Sequence, residues 1–177
     1  MAQPFPFIPW PDAPQWSEAN ASIEHSLQRH RKALGAARDL AHELRERLTT
    51  LFPVMDHLCC ITCPDCTDAC CRRACVWADF TDLLFFHLAR ISPPPAQLLG
   101  GRGERCRYGS PRGCRLDRIR RPFVCTLYLC PDQTELLRKT PDQMRAVNDT
   151  LQHIKHLRRE LETAFIRVVT PEGSCRI

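Results

Sequence analysis

Aromatic residues make up only 7% of the chain and glycine only 7 of its 177 residues, so a broad all-apolar core is not expected, and neither is a low-complexity flexible chain. Long apolar runs are missing as well. The nearest, Leu83-Leu84-Phe85-Phe86, is interrupted at His87, far short of the ~18 residues that cross a bilayer. The first residues contain neither the basic stretch nor the apolar stretch of about 7 to 15 residues that makes a secretory signal. Pro4, Pro6, Pro9, Pro11 and Pro14 break every apolar run there, and residues 1–16 are expected to form an extended proline-rich arm. With no membrane span and no export signal, the expected location is the reducing cytoplasm.

Cysteine, in contrast, is abundant. The chain has 12, and all but Cys175 fall between Cys59 and Cys130. Such a density signals disulfides in a secreted protein, whereas in a reducing compartment clustered thiols are better explained as metal ligands. A length of 177 residues suits one domain, expected over 17–177.

Two amphipathic patterns flank the cysteines. From Ser17, the positions Ile23, Leu27, Leu34, Ala37, Ala41, Leu44, Leu48 and Leu51 recur by threes and fours with one step of seven. They predict a helix over 17–52, ended by Pro53 because proline disfavours helix in the residue before it. Thr140-Pro141-Asp142 reads as a second helix start. Met144, Val147, Leu151, Ile154, Leu157, Leu161, Phe165 and Val168 continue it over 141–169. Two such stripes are best hidden against each other, and an antiparallel pair is expected. A shorter buried helix is predicted from Ala74 to Arg90, followed by a proline- and glycine-rich loop over Ser92 to Gly103 expected to be mobile. The fold class is therefore mainly α, with a small cysteine-rich core and irregular loops over 59–130.

Cys63-Pro-Asp-Cys66 is a C-x2-C step, in which a tight turn aims two sulfurs at one ion. Cys70 and Cys71 follow, then Cys106, Cys114 and Cys125, enough thiolates for one four-ligand site or two sites. Cys130 follows Cys125 in the same block. Cys59, Cys63 and Cys66 also fit a C-x3-C-x2-C radical-enzyme spacing, a coincidence that a cysteine-dense segment produces easily. His87, on or beside an apolar face, is read as a hydrogen-bonded core residue before a ligand. Asp65, Asp68 and Asp79 are read as salt-bridged surface acids and none as catalytic.

The basic character is local: residues 102–121 hold eight arginines against Glu104 and Asp117. Arginine interleaved with cysteine would offset the negative charge of gathered thiolates. The same patch, through Arg118, Arg120 and Arg121, would also suit a nucleic acid or another anionic partner, although stacking aromatics are few there.

Taken in order, Cys63-Pro-Asp-Cys66, Cys70-Cys71, Cys106-Arg-Tyr, Gly113-Cys114 and Arg121-Pro122-Phe-Val-Cys125 resemble the YkgJ-type cysteine-cluster family, over roughly Cys63 to Cys130. The three residues between Cys66 and Cys70 depart from that family's usual spacing. The resemblance leaves Cys59, Cys60, Cys75 and Cys130 as additional positions, the least secure as ligands. The resemblance implies a zinc- or iron-chelating domain with Cys63, Cys66, Cys70, Cys71, Cys106, Cys114 and Cys125 as ligands. Thiolates suit zinc and a four-iron, four-sulfide cluster alike. The expected function is a structural or redox metal site. The alternatives are a metal-dependent group-transfer enzyme of methyltransferase type, also suggested by the resemblance, and an RNA- or partner-binding module.

Overall fold

The computed structural model describes residues 7–64, 66, 75–101, 103–110 and 113–170, and the protein is mainly helical. Helix α1 spans Ala13–Arg29, α2 Gly35–Thr62, α3 Phe80–Leu88, α4 Phe123–Leu127, α5 Pro131–Arg138 and α6 Pro141–Val169. A two-stranded antiparallel hairpin, β1 Gly109–Ser110 and β2 Gly113–Cys114, and a 3₁₀ turn, Arg118–Arg120, lie between α3 and α4. Among the described residues, no helix is long and apolar enough to cross a membrane.

The frame is α2 against α6. Ala37, Ala41, Leu44, Leu48, Leu51, Met55 and Leu58 are the buried residues of α2, alternating steps of four and three, the spacing that keeps one stripe facing a partner helix. Val147, Leu151, Ile154, Leu157, Leu161 and Phe165 form the matching stripe on α6. Gln133 of α5, just before α6, reaches Cys59 and Thr62 at the C-terminal end of α2. Further along α6, His153 meets Glu43 at 3.1 Å, so contacts run in opposite order along the two helices. α3 fills the remaining face, burying Leu83, Leu84, Phe85, Phe86 and Leu88. Phe80 meets Phe165 edge-on at 5.9 Å.

The helix expected over 17–52 is divided and displaced at both ends. It begins at Ala13, where Asp12 caps it by accepting the Gln15 N–H at 2.8 Å. Pro14 is tolerated because the first turn needs no N–H from it, so the arm is shorter than expected. The chain then turns through 30–34, within the seven-residue gap between Leu27 and Leu34 where no apolar stripe holds it straight. α2 continues through Pro53 to Thr62. An interior proline costs about 3 kcal/mol, but Leu51, Met55 and Leu58 stay buried on both sides of it, and that burial outweighs the lost hydrogen bond.

The loop after α3 is tied to the core in its described part. Gln97 is fully buried, and its carboxamide accepts from the Ala78 and Leu98 N–H groups and donates to the Ala78 and Pro9 carbonyls. The Tyr108 hydroxyl bonds both polar backbone groups of Ala96. The Trp16 indole donates to the Pro94 carbonyl at 3.0 Å. The helix expected from Ala74 starts only at Phe80, where Asp79 and Asp82 form a reciprocal cap; Ala74 itself lies outside the described residues.

That cap is also the anchor of a buried ion network. Arg158 of α6 places Nη1 2.5 Å from Asp82 Oδ1 and Nη2 2.8 Å from both Asp79 oxygens. Asp82 Oδ1 also accepts the Phe123 N–H at 3.0 Å, and the guanidinium lies over the Phe123 ring at 4.9 Å. Burial pushes the Asp82 carboxyl from 3.8 up to about 6, against the pull of Arg158. An acid raised in the folded state contributes stability that is complete below its unfolded pKa and is lost as the pH rises through the folded one. Without Arg158, that loss deepens and reaches to higher pH. Arg158→Met is expected to destabilise the fold by about 3–5 kcal/mol at pH 7.5, where Asp82 is left buried and unpaired. The loss should be smaller at pH 5, where Asp82 holds its proton, as urea unfolding at the two pH values will measure.

Candidate metal centre

Of the expected ligands, Cys106 and Cys114 lie at the hairpin, and Cys125 is near enough for both sulfurs to act on its charge. Gly109 pairs with Cys114 and Ser110 with Gly113, and the Arg115 N–H extends the ladder to the Tyr108 carbonyl at 2.8 Å. Gly113 has a φ of +103°, a conformation that residues with a Cβ rarely adopt. Cys106 turns into the hairpin through the Gly109 N–H to its carbonyl, 3.1 Å, and the Arg107 N–H ties this end to the Leu98 carbonyl at 2.9 Å. Cys125 sits on α4, whose first residue is the one held by Asp82. All three cysteines are half-buried against the core.

Burial pushes the Cys125 thiol from 9.0 up to about 12, with the neighbouring Cys106 and Cys114 sulfurs and Asp82 adding to the rise and Arg121 opposing it. The Cys125 sulfur therefore lies within electrostatic reach of the other two, in surroundings that disfavour its thiolate while no cation is bound.

A second set lies at the end of α2. Cys63 donates its N–H to the Cys59 carbonyl at 2.9 Å, and Cys66 turns back on the Cys63 carbonyl at 3.3 Å. Cys60, Cys63 and Cys66 are exposed and Cys59 is half-buried. Gln133 Nε2 lies 3.5 Å from Cys59 Sγ and 3.4 Å from Thr62 Oγ1, while its Oε1 accepts the Cys130 N–H at 3.3 Å. Arg118 reaches the same sulfur through Nη2 at 3.6 Å and Asp56 through Nε at 2.6 Å.

Cys70 and Cys71, like Asp65, Asp68 and Cys175, lie outside the described residues. Among the described residues, no group of three or more His, Cys, Asp or Glu side chains is arranged to hold a metal ion. The donor chemistry nonetheless fits a soft cation: the cysteines supply sulfur, which binds zinc and iron as thiolate. His87 is engaged elsewhere, its Nε2 2.8 Å from Asn20 Oδ1, and burial lowers its pKa while Glu24 raises it.

Several of the arginines read as an anion surface also donate within the chain. Arg120 donates to the Ser92 and Pro93 carbonyls at 3.0 Å each, Arg121 to the Leu116 carbonyl at 3.0 Å, and Arg118 to Asp56 and Cys59. Arg115 donates to the Arg107 carbonyl. Asp79 is ion-paired as expected of it, but its partner Arg158 and the deeper Asp82 were not singled out in the sequence. Charged residues on apolar helix faces were the available signal. Gln133 was missed as well, in a Cys130-Pro131-Asp-Gln segment with a helix-start pattern.

A thiol with a pKa of about 12 is thiolate to only about one part in ten thousand at pH 8. Iodoacetamide should therefore modify Cys125 of metal-free protein at pH 8 at least tenfold more slowly than the exposed Cys66, as mass-spectrometric mapping over time will show. No protein-family model matches this sequence, and no curated protein or solved structure has significant similarity to the chain.

Proposed function

We propose that this chain binds a soft transition metal, zinc or iron, through cysteine thiolates of its middle third, in a structural or redox role in the cytoplasm. The observation that carries this reading is the placing of three half-buried thiols, Cys106, Cys114 and Cys125, near enough that the first two add to the rise to about 12 that burial imposes on Cys125. With no cation bound, Cys125 is unfavourable to ionise. A divalent cation reverses the sign of the problem, since it draws protons off the thiols and binds the thiolates that result. Cys63 and Cys66 would supply the C-x2-C half, with Cys70 and Cys71 following it in sequence. The ordered resemblance to the YkgJ-type family supports the same ligand set. Zinc would make a closed, tetrahedral structural site; iron, held as a four-iron cluster, would add electron transfer.

The partner-binding alternative would have to use arginines, Arg118, Arg120 and Arg121, that also donate within the chain. The group-transfer alternative drew on a mobile loop as a gate, and Gln97 and Tyr108 anchor that loop.

Protein purified without oxygen is expected to carry zinc or iron at about one equivalent or more, and content below about a tenth of an equivalent of either would sink the proposal. Reloading at pH 7.5 should release at least about two protons per ion, so affinity should fall about a hundredfold for each unit of decreasing pH. Cys63→Ser and Cys66→Ser should each lose most of the metal while Cys175→Ser retains it, with elemental analysis as the readout.

A further inference from the structure

We propose that Cys59 is a further thiolate ligand of the metal at the end of α2, with Arg118 and Gln133 as the side chains that hold its sulfur. The inference rests on the metal-binding reading above and adds to its ligand set a residue that motif spacing left out. Cys63 and Cys66 provide two sulfurs, whereas a closed zinc site takes four donors. Cys59 stands one helical turn before Cys63, with the Cys63 N–H bonded to its carbonyl, so both side chains leave the same helix face.

What singles out Cys59 is its surroundings. Two N–H donors from distant parts of the chain converge on its sulfur, Gln133 Nε2 at 3.5 Å and Arg118 Nη2 at 3.6 Å. Gln133 is 5% exposed, and its far end is fixed by the Cys130 N–H. The Arg118 side chain is 10% exposed, while its carboxylate partner Asp56 is 59% exposed. Phe52 lies beneath the guanidinium at 6.0 Å. A neutral thiol is a weak hydrogen-bond acceptor. Arg118 already pairs with the Asp56 carboxylate through Nε and Nη2, and the further contact of Nη2 with sulfur gains strength from the negative charge that a metal-bound thiolate retains. Donors of this kind around a ligating sulfur orient it and offset the charge of the thiolate set. Arg118 also follows Cys114 by four residues, so the side chain that grips the α2 sulfur comes from the segment between two hairpin-side cysteines.

The test uses the full chain loaded with cobalt(II), whose thiolate charge-transfer band reports the number of sulfurs bound. Cys59→Ser is expected to remove about a quarter of the band of a four-thiolate site and to weaken cobalt affinity at least about tenfold. Cys60→Ser, one residue further on at an exposed position, should change neither. Arg118→Met should keep the band but weaken affinity by about 10- to 100-fold, the usual effect of losing a group that orients a ligand. A measurement on the unaltered protein guards against misfolded variants: zinc should protect Cys59 from iodoacetamide. If the protein holds zinc yet Cys59 is alkylated at the same rate with and without it, or if Cys59→Ser keeps the full band, the assignment of Cys59 is overturned while the metal site stands. An unaltered protein that binds neither zinc nor cobalt would overturn the metal-binding reading and this inference together.

Discussion

The placing of α3 and α4 against the α2–α6 pair turns on where Arg158 sits. Its guanidinium is buried on α6 and satisfied by two carboxylates of α3, and one of these also fixes the first residue of α4. Three elements far apart in sequence are thus set by one side chain. Burying such a charge is favourable only when each donor has a partner in good geometry, so the arrangement tolerates little displacement. α4 carries Cys125, and the position of that sulfur beside Cys106 and Cys114 follows from the ion network rather than from any cysteine motif.

The arginines of the hairpin region follow the same logic at smaller scale. Arg120 and Arg121 satisfy backbone carbonyls of loops that have no sheet or helix to do so, at Ser92, Pro93 and Leu116. Irregular backbone near a core leaves acceptors that must find donors, and a long planar cation with five N–H groups can serve several at once. The density of arginine among the cysteines is therefore explained in good part by structure. With few aromatics to pack, this region is held by polar side chains such as Gln97, Tyr108 and Gln133, each making at least two bonds.

The long helices could be read from sequence because their leucines repeat with the helix period. The bounds of α6 came from Thr140-Pro141 and the apolar stripe that follows. Pro53 misled because a local rule about backbone was set against a stripe that continues to Leu58, and burial of Leu51, Met55 and Leu58 decided the outcome. The break at 30–34 was visible as the gap between Leu27 and Leu34 but carried no turn residue to announce it. α4 and α5 are too short to show periodicity. At the candidate site, C-x2-C spacing identified which cysteines share a turn. Spacing could not reveal that Arg118 and Gln133 meet at Cys59, since those contacts span 59 and 74 residues, nor that a helix outside the cysteine region would govern Cys125.

Those separations also bear on the order in which the molecule assembles. Bringing Arg118 to Cys59 in an open chain means closing a loop of 59 residues, an entropy cost of about 3.6 kcal/mol by chain-statistics scaling, against a weak contact to sulfur. Once α2 has met α6 and Arg158 has seized α3, the ends are already near each other and most of that cost is gone. The contact of Arg118 with Cys59 thus draws on the helical frame for its closure, and by itself would be too weak to hold the two segments together.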